Sequence, residues 1–282
     1  EDRQSGIKPI NSRIKKLRDQ TTSLNPEISP ERAILVTDFY ESKQARGKSS
    51  PVTRALAFKH IMKNKKLSLE PGELIVGDKG PGPKKVPTYP EICTHSLDDL
   101  EILDSRDKNP YRVHEETKKV YKDRIIPFWE GKTMRERVFN TVSEEWKDAF
   151  EAGVFTEFME QRSPGHTVLG DKIYNKGFDD LKDEIKKVKE NLSPEEDNYY
   201  EKIEELEAMR ISAEALILYA ERYAEKLENK AGETKDEKRR TELQKMAKVC
   251  HRVPAKPPRN FWEALQYYWF VPVGVITETN PW

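Results

Sequence analysis

The stretch Phe261-Trp-Glu-Ala-Leu-Gln-Tyr-Tyr-Trp-Phe270 carries six aromatic residues in ten. The apolar run Val271-Pro-Val-Gly-Val-Ile276 follows directly. A surface this apolar is not left in water by a soluble monomer, so something must cover it. The spacing predicts a helix over 261–270. The β-branched run after it reads as a buried strand just beginning. A sheet needs partners, and no comparable set of strands occurs elsewhere; Glu73-Leu-Ile-Val76 offers one short strand or extended segment. The chain reads as mainly α with few short strands. Asn280-Pro-Trp282 at one end, and Glu1 in place of an initiator Met at the other, both look like cuts.

Helix starts are written clearly elsewhere. Ser29-Pro30-Glu31-Arg32 offers an N-cap, a first-turn Pro and an acid, with a helix to about Glu41. A second helix is expected from Pro51 to about Lys63, after a first over 11–23. Further helices are expected over 97–103, 110–129, Thr133–Phe139 and Ser143–Ala152, then Asp171–Lys189. Ser193-Pro-Glu-Glu196 should open the longest helix, ended by Gly232, with another over Lys235–Cys250. Gly77–Pro90 is rich in Gly and Pro and reads as loop. It lacks both GxxxxGK[ST] and a GxGxxG set between strand and helix, so a phosphate cradle is rejected. Tyr89-Pro-Glu91 is expected to dock there through its phenol.

Charge excludes several functions. Lys and Arg total 50 and Asp and Glu total 50, giving a net charge of zero and no basic footprint for nucleic acid. The Lys- and Glu-rich surface resembles thermophile ion-pair networks. The hydrophobic fraction, 35%, is low, as expected for long solvated helices or for a face normally covered by other chain. No run approaches the ~18 apolar residues of a membrane span, and residues 1–6 carry no signal-peptide core. Cys93 and Cys250 lie far apart without CxxC spacing, so reduced thiols of the cytoplasm are the expected setting. Glu201, Glu204, Glu205 and Glu207 read as a solvated acidic face and not a metal box, since no paired Glu-x-x-His occurs.

One stretch stands out chemically: Ala152-Gly-Val-Phe-Thr-Glu-Phe-Met-Glu-Gln-Arg-Ser-Pro-Gly-His-Thr167. Phe155, Phe158 and Met159 share a helix face, and Glu157, Glu160 and Gln161 another. Ser163-Pro164-Gly165 ends the helix and presents His166 from a loop. Read by residue type alone, the three apolar residues are core and His166 is an ordinary loop histidine.

The segment from Phe155 to His166 resembles the glycyl radical enzymes, the pyruvate formate-lyase-like family. Gly72–Gly77, Pro87–Ile92 and Val253–Gln266 resemble it too, in the family's order, so the likeness runs from near Arg13 to the last residue. It implies that residues 1–282 are the N-terminal, helical part of a ten-stranded α/β barrel. The dehydratase branch fits best, which implies loss of water from a small hydroxylated substrate such as trans-4-hydroxy-L-proline. Glycerol or propane-1,2-diol is the runner-up. In that family a cysteine thiyl, generated by a C-terminal glycyl radical, abstracts a substrate hydrogen atom. Both groups lie beyond Trp282 in relatives, so no catalytic residue is assigned within 1–282, and the segment alone is expected to be inactive. His166 matches a substrate-contacting histidine, and Phe158 the aromatic that walls the substrate ring. Glu157, Glu160 and Arg162 are read as salt-bridge supports. The family further implies a radical-SAM activating enzyme as partner, a homo-oligomer, and no metal or cofactor bound directly. A different class, a non-catalytic helical subunit pairing with a separate chain through 261–276, remains open. A coiled coil or repeat protein is excluded, because no heptad or fixed period persists.

Overall fold

The computed structural model describes residues 11–154 and 169–279. Helix α1 (Ser12–Thr22) starts at Asn11, whose side chain accepts from the Ile14 amide at 2.9 Å. A three-residue strand, β1 (Glu27–Ser29), leads into α2 (Glu31–Glu41) and α3 (Ser50–Asn64). β1 pairs in parallel with β2 (Lys85–Pro87), with Glu27, Ile28 and Ser29 opposite Lys85, Val86 and Pro87. The rest of Gly77–Pro90 is loop, as its composition predicts.

Helices α4 (Leu97–Ser105), α5 (Glu115–Val120), α6 (Ile126–Trp129), α7 (Met134–Phe139) and α8 (Glu144–Glu151) follow. The expected single helix over 110–129 begins at Glu115 and passes through a π-helical turn, Tyr121–Ile125. That widened turn precedes Pro127, which has no N–H and crowds the turn before it. Local capping chemistry sets several starts: Ser96 with Asp99 for α4, Thr133 with Glu136 for α7, and Ser143 for α8.

After the break come α9 (Lys172–Asn175) and α10 (Phe178–Asn191), α11 (Tyr199–Glu233), α12 (Glu237–Arg252) and α13 (Phe261–Thr279). The helix expected from Asp171 is divided at Gly177, where an added Cβ would sit 2.2 Å from the Ala255 carbonyl oxygen. Ser193–Asn198 forms turns ahead of α11, which begins after Asn198 in a left-handed conformation. Gly232 lies inside α11, which closes at Thr234 instead.

The expected strand at 271–276 is helix. α13 continues unbroken through Pro272 to Thr279. With no partner strands, a helix is the form that bonds its own backbone while burying Val271 and Val273. Gly274 permits it, since a Cβ there would lie 2.7 Å from Leu216 of α11.

Two cores result. The larger joins α3, α9, α11, α12 and α13 around Tyr219, Tyr223, Leu227, Tyr267 and Phe270, all 0–1% exposed. Small residues on α11, among them Ala213, Ala215, Ala220 and Ala224, let neighbouring helices approach closely. The second joins β1, α2, α4, the π turn and α6 around Tyr121, Ile125, Leu100 and Trp129. Trp129 donates through Nε1 to Thr37 Oγ1 at 2.9 Å, which lets its indole be buried. Among the described residues no helix is long and apolar enough to cross a membrane.

Candidate functional site

His166 and Phe158, with Glu157, Glu160 and Arg162, lie outside the described residues. The structure does show what leads to and from them. α7 and α8 pack on each other through Phe139, Trp146 and Phe150. Trp146 and Phe150, one helical turn apart, stack with centroids 5.5 Å apart at 8°, and Phe139 meets each ring edge-on. The Arg135 guanidinium lies 5.2 Å over Phe139. Gly153, at φ +71°, then turns the chain out of α8. On the far side Leu169 packs against the main core and Ile173 of α9 is buried in it. The described residues on either side of the stretch thus belong to a small aromatic cluster before it and to the large core after it.

Three of the four stretches singled out by resemblance meet around α13. Gln266 uses both ends of its amide on one residue: Oε1 accepts from the Val76 amide at 2.8 Å, and Nε2 donates to the Val76 carbonyl at 2.7 Å. This replaces the ladder that the expected strand at 73–76 would need, so that segment stays extended without a sheet. Trp262 Nε1 donates to the Leu74 carbonyl and Trp269 Nε1 to the Gly77 carbonyl, each at 2.8 Å. Gly77, at φ +125°, lies so close that a Cβ would sit 3.2 Å from Trp269.

At the other end of α13 lies a buried polar cluster. Arg32 of α2, 4% exposed, donates through Nε to the Thr277 carbonyl at 2.5 Å and through Nη2 to the Glu278 carbonyl at 3.2 Å. Its fork also grips Glu91 with both nitrogens, and Nη1 reaches the Thr88 carbonyl at 3.2 Å. Burial opposes the charge on Arg32, but the Glu91 carboxylate outweighs it and holds the guanidinium above its usual range. The Tyr89 ring lies 3.9 Å under that guanidinium, and its hydroxyl donates to the Ile276 carbonyl at 2.5 Å. Tyr89–Glu91 thus docks through its phenol, but onto α13 and Arg32 and not within the Gly77–Pro90 loop as expected. Burial raises the Tyr89 phenol to about 12. Lys65, 2% exposed, donates to the carbonyls of Asp78 and Lys79 and, at 3.3 Å, to Thr277 Oγ1. Burial lowers its amine to about 8. Arg32 and Lys65 line a narrow crevice together with Ser29, Glu31 and Thr277. Sequence reasoning missed Arg32 and Lys65 as members of a site, because their partners lie up to 246 residues away.

The cysteines stay outside this cluster. Cys250 is 2% exposed and its thiol is pushed up by burial, which removes the thiolate needed for reactivity. Cys93 is half-buried, with Arg135 Nη1 at 4.0 Å from its sulfur. The acidic face of α11 is more paired than expected. Glu207 is held by Arg210 and Lys189, which take its carboxyl down to about 2, and Glu204 accepts from Ser49 at 2.6 Å. Glu201 and Glu205 are exposed. Among the described residues no group of three or more His, Cys, Asp or Glu could hold a metal ion.

A mainly helical unit whose Gly72–Gly77, Pro87–Ile92 and Val253–Gln266 stretches converge on one long helix defines a class. The sequence profile of the pyruvate formate lyase-like family matches residues 7–281, and the chain belongs to that family. Among individual relatives, trans-4-hydroxy-L-proline dehydratase of Clostridioides difficile is 47% identical over 271 residues. That match takes in 96% of this chain and 34% of the relative. The crystal structure of hydroxyproline dehydratase from the same organism, with trans-4-hydroxy-L-proline bound, superposes with a TM-score of 0.92 at 46% identity. It covers 96% of this chain and 34% of that one. The glycerol-bound form of the B12-independent glycerol dehydratase of Clostridium butyricum also gives 0.92, at 31% identity over 99% of this chain and 35% of the other. The chain therefore spans about a third of the length of these relatives. Its fold is the mainly helical part of the glycyl radical enzyme barrel fold.

Proposed function

We propose that this chain is the N-terminal part of a glycyl radical dehydratase that removes water from trans-4-hydroxy-L-proline. The observation that carries the reading is the 47% identity to a dehydratase of that substrate, against 31% to the structurally equally similar glycerol dehydratase. In this reading the glycyl radical and the thiyl that abstracts the substrate hydrogen belong to polypeptide beyond residue 282. A radical-SAM activating enzyme installs the radical, the working protein is a homo-oligomer in the cytoplasm, and residues 1–282 alone do not turn over.

What this segment contributes is binding. His166 donates or accepts a hydrogen bond at a substrate carboxylate or hydroxyl, and Phe158 covers the ring and keeps water from the radical. The aromatic cluster of α7 and α8 on one side, and the anchored Leu169 and Ile173 on the other, support this by fixing where the stretch begins and ends. The test is the full-length enzyme, activated anaerobically. His166→Ala should lower kcat/KM on trans-4-hydroxy-L-proline on the order of a hundredfold, at unchanged Tm and radical content. Wild-type kinetics in that variant would remove His166 from the site.

A further inference from the structure

We infer that Arg32 is a positioning residue, which closes the last turn of α13 and holds it in one register against α2 and the Pro87–Ile92 stretch. The inference rests on the reading above for its link to activity, but not for its geometry.

An α-helix leaves its last four carbonyls without partners. Such ends are commonly closed locally, by a glycine just past the helix. α13 is described to Thr279, and the sequence Thr277-Glu-Thr-Asn-Pro281 there contains no glycine. Its carbonyls at Ile276, Thr277 and Glu278 are taken instead by Tyr89 and Arg32, from elements more than 180 residues earlier. Two further cations complete the end: Lys65 on Thr277 Oγ1, and Arg54 on the Glu278 carboxylate at 2.5 Å. Three positive groups at the negative end of one helix are electrostatically favourable. Of these three, Arg32 is the one that reads two successive carbonyls, and its orientation is fixed by the Glu91 fork below it and the Tyr89 ring beside it.

Stability alone does not account for this arrangement. A buried ion pair adds little net stability over an apolar pair, because desolvation offsets the attraction; its best-attested use is to hold one register against alternatives.

The test uses the full-length activated enzyme with two variants. Arg32→Met/Glu91→Leu exchanges the ion pair for an apolar one, and Arg32→Lys keeps the charge but loses the fork. Both should remain folded and keep wild-type glycyl radical content while kcat/KM of the folded enzyme falls on the order of ten- to a hundredfold, as expected for misplaced groups. Hydrogen exchange in the last turn of α13 should rise in both. Unchanged exchange there overturns the inference. So does raised exchange with unchanged kcat/KM, or a lowered Tm with the folded fraction fully active. If the wild-type enzyme ignores trans-4-hydroxy-L-proline, the substrate reading fails, and the exchange measurement still decides the role of Arg32.

Discussion

Two helical regions of this chain have very different support. α11 places eleven residues in the buried class and touches α3, α10, α12 and α13. α7 and α8 have none, although α8 is strongly amphipathic; their aromatic rings Phe139, Trp146 and Phe150 contact one another. Periodicity says which face of a helix is apolar, but only tertiary neighbours decide how much that face is worth. The last described helix before residues 155–168 is thus one without a fully buried side chain.

The largest effect expected on this contrast comes from the core of α11. Leu227, fully buried, should lose about 3–5 kcal/mol on substitution by Ala, read as a fall in the urea midpoint. A loss below about 1 kcal/mol would mean that α11 is not the structural centre.

The pH dependence of stability should reveal the buried amine at the edge of the same core. Lys65 has its folded pKa lowered to about 8 by burial, while the unfolded chain keeps the ordinary lysine value. Between about pH 8 and pH 10.5 the unfolded state therefore holds more protons, and stability should rise with pH. The gain is up to about 3 kcal/mol. Lys65→Met should lack that rise when denaturation is followed across the window. A variant that keeps the wild-type slope would place the titration elsewhere.

In α7 and α8 the effects should be smaller. Trp146→Ala removes a stacked and an edge-on partner and should cost about 1 kcal/mol, with faster hydrogen exchange confined to 134–151. Ser143→Ala removes the cap of α8 and should cost about 1 kcal/mol or less, with fraying of its first turn. If Trp146→Ala unfolded the chain as completely as Leu227→Ala, the contrast between the regions would be broken.

Much of the fold could be read from local chemistry. Asn11, Ser96, Thr133 and Ser143 occupy the cap positions at which helices start, because capping is decided within four residues. Errors arose where distant contacts decide. Val271–Ile276 is too short for periodicity to separate strand from buried helix, and Gly274 against Leu216 settles it as helix. Gly177 divides an otherwise continuous helical pattern because of Ala255, 78 positions later, with which no local signal connects it. Of the candidate site, Tyr89 was legible as a docking phenol, while Arg32 looked like no more than a first-turn residue. Its partners at Glu91, Thr277 and Glu278 exist only in the folded chain.

The central claim is the activity, and one assay addresses it most directly. The full-length enzyme, activated anaerobically to carry its glycyl radical, is offered trans-4-hydroxy-L-proline, glycerol and propane-1,2-diol in parallel, and water loss is followed for each. The account predicts dehydration of trans-4-hydroxy-L-proline with a kcat/KM on the order of a hundredfold or more above either diol, because a site built to bond a substrate's polar groups discriminates strongly against substrates that lack them. Preferred turnover of glycerol or propane-1,2-diol by a fully activated enzyme would contradict it.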